Sequence, residues 1–220
     1  MSAYALLPSN ASLPDSRPMR SVSCTDDVYA RVLDAIVDQR LPPDSRLNED
    51  RLGREFGVSR LQIRHALSLL TYQHVITLQA KVGARIASPS DEQICQALHA
   101  RRLTETALIP MACQRAQRPD IDYLHDLIER QRQACADNQR GRAIRLAGAF
   151  HVHLGHMAGN APLAHFLANL IPMTSLAIAR RSDRPEAWQQ QVAMANAVQN
   201  KDEATALALL NLYLGELVPG

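Results

Sequence analysis

The chain has 220 residues, of which 46% are hydrophobic, 21% are charged and only 4% are aromatic. This is the composition of a globular protein with one large or two modest domains, and its abundant Ala and Leu favour helices over a β-sandwich. No apolar run approaches the roughly 18–20 residues that cross a bilayer, and the first residues lack the basic region of a secretion signal. The four cysteines form no C-x-x-C pair, which argues against a disulfide framework or a zinc knuckle. We therefore expect a cytoplasmic protein that does not associate with a membrane.

The net charge of +2 hides an uneven distribution. Residues 56–90 contain no Asp or Glu, although Arg60, Arg64, Lys81 and Arg85 all lie there. A basic stretch without acids is typical of a surface that faces phosphate groups, and the alternative is a solvated basic face.

The N-terminal third is predicted to hold a tail, three helices and a hairpin. Residues 1–22 show no apolar period and are expected to form a flexible tail. Ser59 is a suitable N-cap for the third helix. Apolar spacing predicts a first helix at about 25–40 and a helix-turn-helix pair at about 48–56 and 60–72. The two strands of a β-hairpin wing are expected at about 75–78 and 84–87. Residues 23–88 are therefore predicted to form a winged helix-turn-helix domain.

After Pro89 the pattern is helical only. Ser90 with Gln93 forms a capping box for the first of these helices, and Asn200 with Glu203 is expected to cap the last. The helices are expected at about 91–118, from 119 onward, at 141–158, in shorter pieces over 162–181, at 185–199 and from 200 onward. Residues 89–220 are therefore predicted to form a second, all-α domain.

The third helix carries the residues that are expected to read DNA. Arg60 and Arg64 are four residues apart, so both project from one face at the helix start. That end enters the major groove in a helix-turn-helix, where the Arg fork can grip a guanine edge or a phosphate through two bonds. The other expected contacts flank this pair and are Ser59, Gln62 and His65 on the same helix, with Lys81 and Gly83 in the wing.

Residues 28–86 resemble the winged helix-turn-helix of the GntR family of bacterial transcription regulators. The matching residues are Leu47-Asn48-Glu49, Leu52, Gly57-Val58-Ser59-Arg60, Ile63, Arg64, Ala66-Leu67, Leu70 and Gly83. The chain departs from the family pattern at Leu61, Gln62 and His65, and it has Gln39, Asp44 and His74 where glycines are usual. The resemblance implies binding to double-stranded operator DNA. It adds Arg51 to the expected contacts, because the family often has an Arg at the neighbouring position.

Residues 91–217 resemble the FCD effector domain of the FadR subfamily, which is an antiparallel helical bundle. The matches are Arg101 with Glu105, Phe150-His151, Ala158-Gly159-Asn160, and Ala197 followed by Lys201-Asp202. Many members hold a divalent metal through one Asp and three His, and the metal helps to bind a carboxylate effector. The resemblance places these ligands at Ala147, His151, Gln191 and Tyr213. Three of the four ligands are absent, and amide and phenol groups bind Zn²⁺ or Ni²⁺ poorly, so we expect no metal and no cofactor.

The residues expected to bind an effector directly are Arg101, His151, Gln191 and Tyr213. The resemblance implies that Arg101 pairs with an effector carboxylate. Two alternatives stay open at this stage. Arg101 could pair only with Glu105, a contact worth about 0.3–0.5 kcal/mol on a helix surface, and His151 could be a core histidine bonded to a neighbour such as Tyr213.

The sequence thus predicts a homodimeric transcriptional regulator, with repression as the expected mode and a small organic acid as effector. Paired recognition helices would bind half-sites about one DNA turn apart. One alternative is a metal-dependent helical enzyme that uses the histidines between His151 and His156, but that segment lacks a carboxylate. His153 and His156 are instead expected to be partly exposed polar residues. The other alternative is a DNA-binding protein whose bundle only dimerises.

Overall fold

The computed structural model describes residues 24–79, 83–180 and 187–218. In this part of the chain, nine helices and a two-stranded hairpin follow one another. Their bounds are α1 Cys24–Val37, α2 Glu49–Phe56, α3 Arg60–Tyr72, β1 Ile76–Gln79, β2 Gly83–Ile86, α4 Asp91–Arg115, α5 Arg118–Ala136, α6 Arg140–Met157, α7 Ala161–Ala179, α8 Ala187–Gln199 and α9 Glu203–Gly215. The predicted fold class, a winged helix-turn-helix followed by a helical domain, is confirmed.

The turn between α2 and α3 is set by two residues with different tasks. Gly57 ends α2 in the left-handed conformation, with φ 66° and ψ 36°, which a side chain would strain. Ser59 caps α3, since its hydroxyl accepts from the Gln62 amide while the Gln62 side chain bonds back to the Ser59 amide. The apolar face of α3 is buried, with Ile63 and Leu70 at 0% exposure. The tight turn therefore fixes which face of α3 remains exposed.

The wing is a small antiparallel sheet with help from the preceding loop. β1 and β2 pair with Ile76 opposite Ile86 and Gln79 opposite Gly83. The Leu47 amide donates to the Ala84 carbonyl at 2.9 Å, so the segment before α2 runs along the outer side of β2. The predicted basic turn, with Lys81, lies outside the described residues.

Among the described residues of this domain, three that are not glycine adopt the left-handed backbone. Gln39, Asp44 and His74 have φ values of 58°, 61° and 58°. These are the three positions where the resemblance noted glycine as usual. The backbone therefore has the left-handed turn geometry that is usual for glycine. Because these three residues have a Cβ, that geometry is sterically less favourable for them than for glycine.

The helical domain differs from the prediction at two places. α7 is one helix rather than shorter pieces, although Pro172 lies inside it; the Ile171 carbonyl next to this proline accepts from the Thr174 and Ser175 hydroxyls. The cap of α9 is Asp202 rather than Asn200, because the Asp202 carboxylate accepts from the Thr205 amide at 3.0 Å. Asp202 immediately precedes the helix, as an N-cap must.

α7 also corrects the expectation about apolar runs. Among the described helices it alone, Ala161–Ala179, is long and apolar enough to cross a membrane by length and composition. Half of its apolar window is buried within the fold, where α7 packs against α4 and α6. We therefore assign α7 as the core helix of the bundle.

The two domains meet where α1 crosses the start of α6. Arg145 donates to both carboxylate oxygens of Asp34, at 2.7 and 3.0 Å, and both side chains are largely buried. Directly after the end of α1, the Asp38 carboxylate accepts from the Gly141 amide. A Cβ at Gly141 would overlap the Asp34 carbonyl oxygen, so only glycine allows this approach.

Candidate functional site

The start of α3 presents two arginines on one exposed face. The Arg60 and Arg64 side chains are 59% and 58% exposed, and both reach back to Glu49 at the start of α2. Arg60 Nε donates to Glu49 Oε2 at 2.8 Å, while Arg64 donates to both oxygens, from Nε at 3.1 Å and from Nη2 at 2.9 Å. The shared face expected from the four-residue spacing is thus present, and one carboxylate connects the two guanidinium groups.

The other residues expected to contact DNA lie around this pair. Ser59 and Gln62 form the cap of α3, so their polar groups already make bonds within the protein. His65 is exposed on α3 and Arg51 is exposed on α2. Gly83 begins β2 with φ 95°.

Glu49 also belongs to this surface, and no role for it is predicted from the sequence beyond its match to the family pattern. Hydrogen bonds from Arg64 and Arg60 lower the pKa of its carboxyl group to about 2, so it is ionised at neutral pH. Eleven and fifteen residues separate Glu49 from its partners. Residues separated in this way are not neighbours on one helix. The ion pairs form because the turn at Gly57 brings the start of α2 close to the start of α3.

A second cluster of polar side chains is buried inside the bundle. Glu105 on α4 accepts from Arg101 Nε at 2.5 Å and lies 2.6 Å from His151 Nδ1 on α6. Arg101 Nη1 also donates to Thr174 on α7 at 3.1 Å. The ring of Tyr213 on α9 stacks on His151 at 4.7 Å and lies 5.5 Å from the Arg101 guanidinium carbon. Four helices therefore contribute to one cluster in which each of these side chains is at most 5% exposed.

The charges of the cluster balance within the protein. Burial alone raises the pKa of Glu105, but the hydrogen bonds from His151 and Arg101, together with the Arg101 charge, outweigh it and hold that pKa well below its usual range. Burial lowers the pKa of His151 more than the Glu105 carboxylate raises it, so we assign a neutral imidazole that donates from Nδ1. The Arg101 guanidinium stays charged, because Glu105 offsets the effect of burial on its pKa. The ion pair is thus Arg101 with Glu105.

The structure therefore corrects two expectations about this cluster. The hydrogen-bond partner of His151 is Glu105, and Tyr213 contacts His151 by stacking. Gln191 on α8 donates to the Ala147 carbonyl at 3.1 Å, one turn before His151, so it joins the edge of the cluster through the backbone. Glu105 was considered only as a surface partner of Arg101, and its inward direction could have been recognised because Arg101 and Glu105 share the helix face of the buried Leu98 and Leu108.

Three buried polar atoms of the cluster have no hydrogen-bond partner in the described part of the chain. They are Arg101 Nη2, His151 Nε2 and Gln191 Oε1. Since buried polar atoms are rarely left unpaired, these atoms are candidates for binding a ligand or water.

The donor set does not suit the metal of the subfamily. Of the four ligand positions, Ala147 offers no side-chain donor and Gln191 points its amide nitrogen at a carbonyl. His151 is already bonded to Glu105, whose charge is met by Arg101. No group of three or more His, Cys, Asp or Glu suitable for a metal occurs among the described residues. A divalent cation would have to displace a buried guanidinium, and the absence of a metal stays a prediction that elemental analysis can test.

The histidines further along α6 lie apart from this cluster. His153 is partly buried against Tyr123, with ring centroids 4.6 Å apart, and burial lowers its pKa. His156 is exposed. Neither side chain reaches the buried cluster.

Comparison with known proteins agrees with this architecture. The profile of the bacterial regulatory proteins of the gntR family matches residues 24–86, and the FCD domain profile matches residues 96–216. The chain belongs to the GntR family, with an FCD domain. GntR-FCD proteins and the relatives matched here are transcriptional regulators rather than enzymes, which removes the metal-dependent enzyme as an alternative.

The curated relatives are distant. The Nta operon transcriptional regulator of Aminobacter aminovorans is 28% identical over 58% of this chain and 60% of its own length. The HTH-type transcriptional repressor NanR of Cronobacter sakazakii is 25% identical over 77% of this chain and 74% of its own length. The chain thus spans less than two thirds of the Aminobacter regulator.

Solved structures with the same fold are more distant in sequence. Escherichia coli McbR/YncC has a TM-score of 0.71 at 17% identity and covers 89% of this chain and 95% of its own. A GntR regulator from Rhodococcus sp. RHA1 has a TM-score of 0.68 at 19% identity, with 88% and 95% covered. Because the sequence identities are this low, the two solved structures show only that the fold is shared.

Proposed function

We propose that this GntR-FCD regulator is a repressor that recognises its operator through the start of α3 and responds to a small molecule in the bundle. The observation that carries the proposal is the pair of exposed guanidinium groups, Arg60 and Arg64, on one face at the N-terminal end of α3. Arg51 and His65 are exposed and extend this surface, and Gly83 at the start of β2 is a further proposed contact. Lys81, the other contact expected in the wing, lies outside the described residues. Repression is supported by the relative from Cronobacter, which is a repressor by name.

The proposed organisation has two functional parts. Residues 23–88 bind DNA, and residues 89–220 bind the effector and dimerise, whereas the tail expected at residues 1–22 lies outside the described residues. Dimerisation is expected because one half-site seldom gives sufficient affinity. Sedimentation at micromolar concentration should therefore show a homodimer, and a monomer that still binds DNA selectively would contradict this part of the proposal. DNA binding places the protein in the cytoplasm.

The buried cluster is the proposed effector site. Arg101 Nη2 is a charged donor without a partner among the described residues, and a ligand carboxylate would accept from it. His151, Gln191 and Tyr213 complete the site. The Glu105 carboxylate opposes a second anion, so the effector is expected to bring one acceptor group to Arg101 rather than several negative charges.

The function can be tested without knowing the operator. The purified protein is offered a pool of randomised DNA duplexes, and the bound fraction is amplified and sequenced over several rounds. A two-fold symmetric site, with half-sites about one turn or 10 base pairs apart, is the expected product. Enrichment of no sequence would contradict operator recognition.

A second experiment separates effector control from a bundle that only dimerises. Small carboxylic acids are screened for an increase in the melting temperature, since a ligand that binds only the native state stabilises it by RT ln(1 + [L]/Kd). An effector is expected to raise the melting temperature and to change the affinity for the selected duplex. If no acid does either, the bundle-only alternative is favoured.

A further inference from the structure

The contact between Glu49 and the two α3 arginines goes beyond a surface ion pair. We propose that Glu49 is a positioning residue that holds Arg64 for guanine recognition and suppresses the binding of Arg60 and Arg64 to phosphates of unrelated DNA. This inference rests on the proposed recognition of DNA by α3. Glu49 itself needs no contact with a base.

The geometry of Arg64 supports the positioning role. Its guanidinium meets Glu49 side-on, through Nε and Nη2, which fixes the plane of the group. The end-on edge, formed by Nη1 and the second hydrogen of Nη2, faces away from the carboxylate. A guanine presents its O6 and N7 to such an edge, so Arg64 can bind Glu49 and a guanine at the same time.

The charges of the surface support the second role. Arg60 is held between Glu49 Oε2 at 2.8 Å and Asp50 Oδ1 at 3.4 Å. The two positive charges of the arginines are therefore balanced by the two negative charges of Glu49 and Asp50. Non-specific affinity depends on the number of phosphates that basic groups neutralise, so an arginine held by Glu49 contributes less to it.

Substitution of Glu49 should therefore move specific and non-specific binding in opposite directions. In Glu49→Gln, the affinity for the selected duplex should fall about tenfold, because Arg64 loses its fixed plane. The affinity for a scrambled duplex should rise, and its dependence on log[salt] should steepen by about 0.9 for each arginine released. A variant that was merely unfolded would lose both affinities together.

Two further variants separate charge from position. Glu49→Asp keeps the negative charge but shortens the side chain, so it should lose specific affinity while its salt dependence stays near that of the wild type. Glu55→Gln is the matched control, since it removes the same charge from an exposed position on the same helix, and the ion pairs of Arg60 and Arg64 go to Glu49 and Asp50. It should leave the ratio of the two affinities unchanged.

The decisive experiment is a fluorescence anisotropy titration of the full-length variants on the selected and scrambled duplexes at four salt concentrations. A lower ratio of specific to non-specific affinity in Glu49→Gln, with the Glu55→Gln control unaffected, supports the inference. An unchanged ratio, or an equal loss on both duplexes, overturns it while the proposed function stands. A wild-type protein that selects no duplex contradicts the proposed function itself.

Discussion

At the scale of single residues, the chain uses the same ion-pair chemistry in two settings with different consequences. The Glu49–Arg64 pair is partly solvated, so removing either charge costs the folded state little. The Arg101–Glu105 pair is 1–2% exposed, and neither charge can be left alone there without a large desolvation cost. The first pair therefore suits recognition, whereas the second is tied to the integrity of the bundle.

Glu105→Gln should be strongly destabilising. It leaves the Arg101 guanidinium buried without its counter-charge, which typically lowers the free energy of unfolding by about 3–5 kcal/mol. Urea denaturation followed by circular dichroism measures this value. Glu129→Gln, which breaks the exposed pair with Arg132, is the control and should have almost no effect. Equal effects of the two substitutions would contradict the buried ion pair.

The same cluster predicts a loss of stability in acid. Burial lowers the pKa of His151 in the folded state, so below about pH 6.5, the usual value for histidine, the unfolded chain takes up a proton that the native imidazole resists. The pKa of Glu105 is also lowered, which adds stability that is present above its usual pKa and is lost as the pH falls further.

Melting temperatures measured between pH 7.5 and 4.5 test whether the stability of the protein falls on acidification. They should fall continuously as the pH decreases, and the slope between pH 6.5 and 5.5 should be smaller in His151→Gln. A melting temperature that rises on acidification would show that His151 gains a proton in the folded state.

At the scale of elements, α6 connects the two functional regions. Its first turn is fixed to the residue after α1 by the hydrogen bond between Gly141 and Asp38, and Arg145 is bound to Asp34 of α1 one turn later. Ten residues after Gly141, or about 15 Å along the helix, His151 enters the buried cluster. α1 in turn packs against α3, so α1 lies between α6 and the helix that we propose reads DNA.

Gly141→Ala tests how closely α1 and α6 are joined. The added Cβ would overlap the Asp34 carbonyl oxygen, so we expect a loss of about 1–3 kcal/mol in the free energy of unfolding, typical of overpacking. Gly215→Ala in α9 is the control. Its Cβ would lie 4.0 Å from Arg102 Nη2, and it should be neutral or slightly stabilising. Both values come from urea denaturation, and a neutral Gly141→Ala would show that the two helices are not in close contact.

The helices and strands could be predicted where the residues that determine them lie close together in the sequence. The cap at Ser59, the turn at Gly57 and the spacing of α3 are read within a few residues, and the structure places them as expected. The prediction of shorter helical pieces over 162–181 is wrong, because α7 continues through Pro172 while it packs against α4 and α6. The ion pairs of Glu49 and the contact between Glu105 and His151 could not be derived, since each joins elements whose relative placement no sequence period specifies.

At the scale of the whole molecule, the exposed basic surface and the buried polar cluster belong to different domains. The winged domain offers exposed charged groups, while the cluster inside the bundle encloses its charges and has three polar atoms without a partner among the described residues. This division fits a regulator in which one domain contacts DNA and the other senses a small molecule. The contact between α1 and α6 is the physical route by which one could affect the other.

The most direct test of this account is the affinity of Arg64→Ala for the selected operator duplex. We predict a loss of about 5- to 150-fold, together with relaxed selectivity at one base pair of each half-site, because a bidentate contact with a base is removed. Arg132→Ala, on the exposed surface of α5, should bind as the wild type does. An Arg64→Ala protein that binds the operator with unchanged affinity and selectivity would contradict the claim that the start of α3 reads the DNA.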